Sequence, residues 1–387
     1  MAPIDPGPQG KAPPALPDHL LQEIFVRIAS PADLVRASAA CASFRGLIAD
    51  PSFLRRYRSL HRHPPLFLGL VDQGIEGFVP VDAPHPNALA ARALAHAADF
   101  SFDYLPRRSW SPWDARDGRL LLGCSAAGAA FCDLAVCDPL YRGYVLLPPI
   151  PDDLVASVLD QVKDAHSDNF DAFLVPSQDY EDTQFRVIGL TYCRVKAVVF
   201  VYSSVSGHWT VGAPTNWDDL GLIGILPDGI PLGWCPSYAY GCFYWKVPSR
   251  NQLLKLDINR MEFSTVVIPF QGAYQDIVVV VEAPEGRLGM LSHNSALPYL
   301  YYIIRQNDGE GANYFQVETT ISVPWDVSYI AGVAEGYIFL RAEEKGETTF
   351  FSLDGRTLKF ERLCAAWLSC YIIPYFGFPP FMSPRRI

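Results

Sequence analysis

Residues 16–34 read LPDHLLQEIFVRIASPADL. Leu20, Leu21, Ile24, Phe25 and Ile28 recur at i, i+1, i+4, i+5 and i+8, which is one wide apolar face of a helix. Asp18 stands at its start, where a negative charge meets the positive end of the helix dipole. A second helix opens at Ser30-Pro31-Ala32-Asp33, with Ser30 as cap, Pro31 in the first helical position and Asp33 in the first turn. Leu34, Val35, Ser38 and Cys41 continue it. Ser43, Phe44, Leu47 and Ile48 form a third helix, and Asp50-Pro51 caps a fourth that carries Phe53, Leu54 and Tyr57. Roughly 45 residues cannot hide that much apolar surface internally, because small domains bury a low fraction of their surface. Some of the Leu, Ile and Phe side chains are therefore expected to meet a partner.

In order along the chain, Leu16-Pro17, Ile24, Ile28, Asp33-Leu34, Cys41, Phe44-Arg45 and Pro51-Ser52-Phe53 resemble the F-box motif over its whole length. Phe44 stands where that family often has Trp, and Ala29-Ser30 where Leu-Pro is common. The resemblance implies a module that docks on an Skp-type adaptor and through it on a cullin–RING ubiquitin ligase. The adaptor-binding residues it implies are Leu16, Pro17, Leu20, Ile24, Ile28, Leu34, Val35, Cys41 and Phe44, some of which hold the module together.

The remaining sequence changes character. It is half apolar and 13% aromatic but only 19% charged, which suits a large buried core and excludes a disordered chain. Pro (33) and Gly (28) are scattered between apolar runs, as many short strands joined by turns require. Candidate strands are Leu66–Val71, Leu120–Cys124, Tyr144–Leu147, Phe185–Tyr192, Ala197–Tyr202, Cys242–Val247, Ile277–Val281, Tyr299–Ile304 and Tyr337–Arg341. A degenerate unit precedes several of them: Asp117-Gly118, Tyr240-Gly241, Glu285-Gly286 and Glu335-Gly336. The last three glycines lie 45 and 50 residues apart, and the first gap, 123 residues, has room for two further units. A period of that size, with several strands per unit, is what a β-propeller blade requires.

The expected fold is thus α+β multidomain. A flexible tail occupies residues 1–14, an all-α F-box module 15–62, and a large all-β domain 65–387 with six or seven propeller blades. A β-sandwich pair is the alternative. Phrases such as DGRLLL (117–122) and CDPL (137–140) also resemble plant F-box proteins with an F-box-associated C-terminal domain. Ala83–Asp99 reads as a loop or short helix, and Pro148–Asp171 as a polar insertion.

Net charge is −10, which argues against a general nucleic-acid binder. The charge is uneven: residues 16–63 carry seven Arg and four acids, so the front is +3 and the rest −13. The Arg55, Arg56, Arg58 cluster leaves a DNA-binding helical module as a minor reading. The first 15 residues lack the pattern of a secretory signal, and no apolar run reaches the length of a membrane span. Nine Cys lie singly, without a C-x-x-C pair, which suits reduced thiols in a cytoplasmic or nuclear protein.

Motifs for catalysis are weak. Gly123–Gly128 is one residue too long for a nucleophile elbow and follows no α/β pattern. Asp164-Ala165-His166-Ser167-Asp168 reads as a polar loop, and His61 with His63 lacks further ligands at metal spacing. No phosphate-binding glycine motif occurs, so no catalytic residue, metal or cofactor is expected. Trp110, Trp113, Trp209, Trp217, Trp234, Trp245 and Trp325 suit either a binding rim or the packing between blades. The expected function is a non-catalytic substrate receptor of an Skp–cullin–F-box ligase, its protein target unidentified. The alternative is a ligand- or sugar-binding β protein whose helices engage no adaptor.

Overall fold

Helices α1 (Asp18–Phe25), α2 (Pro31–Ala40), α3 (Ala42–Ile48) and α4 (Pro51–Leu60) form the N-terminal unit. The first N–H groups of any helix lack partners, and here side chains supply three of the caps. Ser30 Oγ accepts from Asp33 N (3.3 Å), and Asp50 Oδ1 accepts from Ser52 N (2.9 Å) and Phe53 N (3.2 Å). The sequence pattern carries α2 through Cys41, but the helix ends at Ala40. The backbone is extended at Cys41 (φ −158°, ψ 163°), and the Cys41 thiol accepts from Phe44 N (3.5 Å), opening α3. Asp50 holds two orphan donors, so Asp50→Ala should destabilise the helical unit by about 1 kcal/mol. An earlier loss of helical circular dichroism in urea would report it.

The structure, a computed structural model, describes residues 16–61, 66–72, 77–106, 110–124, 131–159, 170–176, 184–192, 195–212, 214–222, 236–248, 250–268, 277–293, 297, 299–307, 313–323, 326–344, 346–366, 368 and 372–377. The chain divides into two units, Met1–His63 and Pro64–Ile387. The tail expected over residues 1–14 lies outside the described residues.

The second unit is all β apart from two helices and a single 3₁₀ turn among the described residues. It begins with β1 (Leu66–Asp72), β2 (Phe78–Pro80) and α5 (Ala88–Ala97), the helix packing on both strands. A four-stranded sheet follows: β3 (Ser111–Arg116), β4 (Arg119–Cys124), β5 (Asp133–Asp138) and β6 (Gly143–Leu146). After α6 (Asp152–Leu159) come β7 (Phe170–Leu174), β8 (Arg186–Tyr192), β9 (Lys196–Ser203) and β10 (His208–Val211), with β11 (Thr215–Asn216) pairing β9. The next sheet holds β12 (Ser237–Ala239), β13 (Cys242–Lys246), β14 (Gln252–Asp257) and β15 (Glu262–Val267). Then come β16 (Ile277–Glu282), β17 (Leu288–His293), β18 (Tyr299–Asn307) and β19 (Asn313–Ser322). The last four-stranded sheet is β20 (Asp326–Ala334), β21 (Tyr337–Glu344), β22 (Glu347–Asp354) and β23 (Phe360–Ala365). Finally β24 (Ile372–Gly377) returns to β1, pairing from Leu66↔Gly377 to Asp72↔Ile372 with a shift of register between Phe67 and Gly69.

Six antiparallel sheets result, and they form a six-bladed propeller. We number the blades from the β2-β1-β24 sheet as blade 1. The first strand of each later sheet packs beside its counterpart in a neighbouring blade: β24 beside β3, β3 beside β7, β12 beside β16, β16 beside β20, and β20 beside β24. These strands line the axis. Blade 1 takes its outer strands from the start of the unit and its inner strand from the end, so strand pairing closes the ring.

The glycine units mark the hairpins from inner to second strands. Asp117-Gly118, Tyr240-Gly241 and Glu335-Gly336 are two-residue turns with both φ values positive (52° and 78°, 48° and 72°, 51° and 81°). That is the type I′ geometry whose twist matches the strands it joins. Glu285-Gly286 has the same signs inside a longer 3₁₀ turn. The 123-residue gap holds one blade rather than two. Part of the extra length is α6, inside the segment expected to be a polar insertion; Asp152 and Asp153 occupy its first turn, where acids favour a helix.

Apolar clusters fill the spaces between blades. Phe173 and Trp217 of blade 3 pack with Phe243 and Trp245 of blade 4. Trp209, Trp217 and Trp245 are buried, so these indoles serve packing and not an exposed rim. Trp110 and Trp113 are half-buried, while Trp234 and Trp325 lie outside the described residues. Gly123 closes on Trp113: a Cβ there would stand 2.2 Å from the indole Cε2, a packing reason for the glycine. Residues 125–130, 160–169 and His63 lie outside the described residues, so the elbow-like and triad-like stretches are placed only at Gly123 and Cys124.

Candidate functional site

The helical front presents an apolar stripe. Pro17 ends the extended approach, and its carbonyl accepts from Leu20 N (2.9 Å) and Leu21 N (3.2 Å), starting α1. Residues four apart share a helix face, while adjacent residues differ by about 100°. Leu20 and Ile24 therefore form one stripe, and Leu21 and Phe25 another. Phe25 is buried with its ring 4.9 Å from that of Phe44, edge to face. Leu20 and Ile24 are 41% and 50% exposed, and Leu16, just ahead of them, is 50% exposed.

The nine residues singled out from sequence thus fall into three groups. Leu16, Pro17, Leu20, Ile24 and Cys41 are exposed. Ile28 and Phe44 are half-buried, and the Ile28 carbonyl accepts from the Tyr57 hydroxyl (3.0 Å). Leu34 and Val35 are buried and offer a partner almost no surface; they belong to the core. Sequence periodicity could not separate these groups, because the inward and outward stripes of α1 are both spaced i, i+4.

Charge on this front is partly neutralised. Arg56 Nη1 lies 2.6 Å from Glu23 Oε1, and this hydrogen bond holds the Glu23 carboxyl below its usual range. Arg36 pairs with Asp33. Arg27 and Arg45 are exposed. His61, weighed as a metal ligand, instead sets a ring nitrogen against the Val26 carbonyl. Among the described residues no group of three or more His, Cys, Asp or Glu side chains could hold a metal. No described helix is long and apolar enough to cross a membrane.

A second cluster lies where the C-terminal ends of the inner strands meet. The inner edge of an inner strand has no neighbouring strand, so its N–H groups need other acceptors. Asp114 Oδ2 of blade 2 accepts from Leu174 N of blade 3 (2.9 Å), and Ser237 Oγ of blade 4 from Val280 N of blade 5 (2.9 Å). Glu282 Oε1 of blade 5 accepts from Tyr240 N (3.1 Å), and the Tyr240 hydroxyl donates to the Ala283 carbonyl (2.9 Å). Gly118 N donates to the Phe376 carbonyl (2.9 Å), tying blade 2 to β24.

Arg116, the last residue of β3, is 7% exposed. Its Nε stands 3.8 Å from Asp114 Oδ2, and its Nη1 stands 3.6 Å from Glu335 Oε1 of blade 6. The guanidinium carbon also lies 5.8 Å from the ring centre of Tyr238 in blade 4. Blades 2, 4 and 6 alternate around the ring, so a group that meets all three stands on the propeller axis. Burial pushes the Glu335 carboxyl up against the pull of Arg116, and nearby Asp117 adds to the rise. Asp114 is likewise pushed up by burial, opposed by Arg116 and by the N–H groups of Leu174 and Ala115. Sequence reading marked the turns at 117, 240 and 335 as blade signatures but had no means of bringing them to one point.

Asp171, on β7 beside Tyr192, behaves differently. Burial raises its carboxyl to about 6, with the Tyr192 hydroxyl pulling down. The unfolded carboxyl titrates near 3.8, so the folded state binds more protons between pH 3.8 and 6 and loses stability as pH rises through that window. Asp171→Asn should therefore stabilise the propeller by up to about 3 kcal/mol at pH 7 and hardly at all below pH 4. Urea unfolding at the two pH values would measure it.

Solved structures of low similarity include YCF48 bound to D1 peptide, at 8% identity over 67% of this chain and 69% of that one, with TM-score 0.35. Another is PorZ, a surface component of the type-IX secretion system of Porphyromonas gingivalis, at 10% identity and TM-score 0.37; the match covers 71% of this chain and 38% of PorZ. No curated protein matches the sequence. Residues 14–60 match the F-box-like family model, the stretch that holds the exposed stripe of α1. The chain thus carries an F-box-like domain ahead of a six-bladed propeller.

Proposed function

We propose that this chain is a non-catalytic substrate receptor of an Skp–cullin–F-box ubiquitin ligase of the plant type, acting in the cytoplasm or nucleus. The observation that carries the reading is the exposed Leu16, Leu20 and Ile24 stripe inside the F-box-like stretch. F-box domains generally bind Skp-type adaptors of cullin–RING ligases. An apolar stripe left open on a helix suits an interface whose centre is core-like. The propeller then holds a target while the attached machinery transfers ubiquitin. The chain's own contribution is proximity, a raised effective concentration of the target's lysines near the charged enzyme.

Co-expression with an Skp-type adaptor tests the reading. Co-elution of the two at equal stoichiometry in gel filtration, and recruitment of a cullin by the pair but not by the chain alone, is the expected result. A folded chain that elutes without adaptor would favour the ligand-binding alternative.

A further inference from the structure

We infer that this receptor is a poor acceptor of the ubiquitin it delivers, because its own surface carries few reactive amines. This regulation of transfer rests on the receptor reading: ubiquitin passes to the bound target and not to the chain itself. The 31 cationic residues divide into 24 Arg and 7 Lys, although Lys is ordinarily among the commonest residues. The imbalance is sharpest at the front. Between Lys11 and Lys163 stand 13 Arg and no Lys, in a stretch that holds the F-box-like domain and all of blade 2.

Arg and Lys carry the same charge but differ in chemistry. In ubiquitin transfer a neutral Lys Nζ attacks the thioester carbon that joins the ubiquitin C-terminus to a cysteine of the conjugating enzyme. A C–N bond forms, the C–S bond breaks, and the proton lost by the amine neutralises the departing thiolate. A guanidinium stays protonated at any pH a protein meets and offers no such lone pair. A basic front made of Arg keeps its charge without presenting an acceptor.

The fold withdraws part of what remains. Lys196, on β9, is 8% exposed. On β13, Lys246 Nζ donates to the Val247 carbonyl (2.9 Å) and to the Arg250 carbonyl. Burial pulls this amine below its ordinary value, which favours the nucleophilic form, but the two carbonyls hold it. Lys255 is half-buried beside Cys242 and Asp257. Among the described residues Lys359, between β22 and β23, is the one exposed lysine. Lys11, Lys163 and Lys345 lie outside the described residues.

The test reconstitutes the full chain with an Skp-type adaptor, a cullin–RING ligase, activating and conjugating enzymes, ATP and lysine-free ubiquitin. Ubiquitin on the chain is followed by gel and placed by mass spectrometry of diglycine remnants. Arg27→Lys/Arg92→Lys returns two exposed amines to the lysine-free stretch at unchanged charge. It should raise self-modification about tenfold over the parent, with remnants on the new lysines. In the parent, Lys196 and Lys246 should carry none. Acetyl N-hydroxysuccinimide reads amine access with no ligase present: Lys359 should be acetylated about tenfold faster than Lys196 or Lys246 in the folded chain, and all three alike in urea. Equal self-modification of parent and variant, remnants on Lys196 or Lys246, or equal acetylation of the three lysines in the folded chain would overturn the inference. Adaptor capture is read separately by gel filtration. Its failure removes the receptor reading and this regulation together, whereas normal capture with rapid self-modification of the parent removes this regulation alone.

Discussion

Leu20→Asp/Ile24→Asp should abolish capture of an Skp-type adaptor while leaving the fold intact. Both side chains are largely exposed, so new carboxylates there stay in water and cost the free chain little. In the docked state they would lie within an apolar interface, unpaired, and burying an unpaired charge costs several kcal/mol. Two such charges reduce affinity by at least about a thousandfold, since each 1.4 kcal/mol is tenfold. Leu34→Asp makes the contrast. Leu34 is fully buried, and its variant should lose helical structure together with binding. Melting curves beside pull-downs separate the two cases; unaltered capture by the folded Leu20/Ile24 variant would move the docking surface elsewhere.

Deleting residues 372–387 should prevent the propeller from folding as a monomer. Ile372, Ile373, Tyr375 and Phe376 of β24 are all at most 7% exposed, and the Tyr375 hydroxyl donates to the Gly118 carbonyl at 2.9 Å. Burying each such side chain contributes about 1.5–3 kcal/mol. Four of them rival the roughly 5–15 kcal/mol total stability of a domain, and the deletion also leaves β1 with an unpaired edge. The expected readout is insoluble or aggregated protein, recovered by supplying the strand as a covalent fusion ahead of β1. A soluble, cooperatively unfolding truncation would contradict ring closure through β24.

Much of this architecture was legible because its signals are local. Ser30, Pro31, Asp50 and Pro51 mark helix starts through cap chemistry that involves only neighbours two or three residues on. Asp117-Gly118 and Glu335-Gly336 were legible for the same reason: a type I′ turn needs left-handed backbone at two adjacent positions, and an acid followed by glycine tolerates it. What stayed hidden is what depends on distance along the chain. Nothing near Cys41 signals that its backbone breaks α2, since Ala39, Ala40 and Ala42 all favour helix. The blade count was ambiguous because blade 3 is stretched by α6 and long connections. Arg116, Tyr238 and Glu335 come together across more than 200 residues of sequence, and only ring closure brings them to one axis. In the docking module, both stripes of α1 carry the same spacing, so sequence marked the helix but not which stripe is exposed.

Hydrogen exchange of the full chain, with and without an Skp-type adaptor, is the most direct measurement. The account predicts slowed exchange over Leu16–Phe25 in the presence of adaptor, with the propeller strands unchanged. Adaptor binding that leaves those residues unprotected, or no binding by the folded chain, would contradict it.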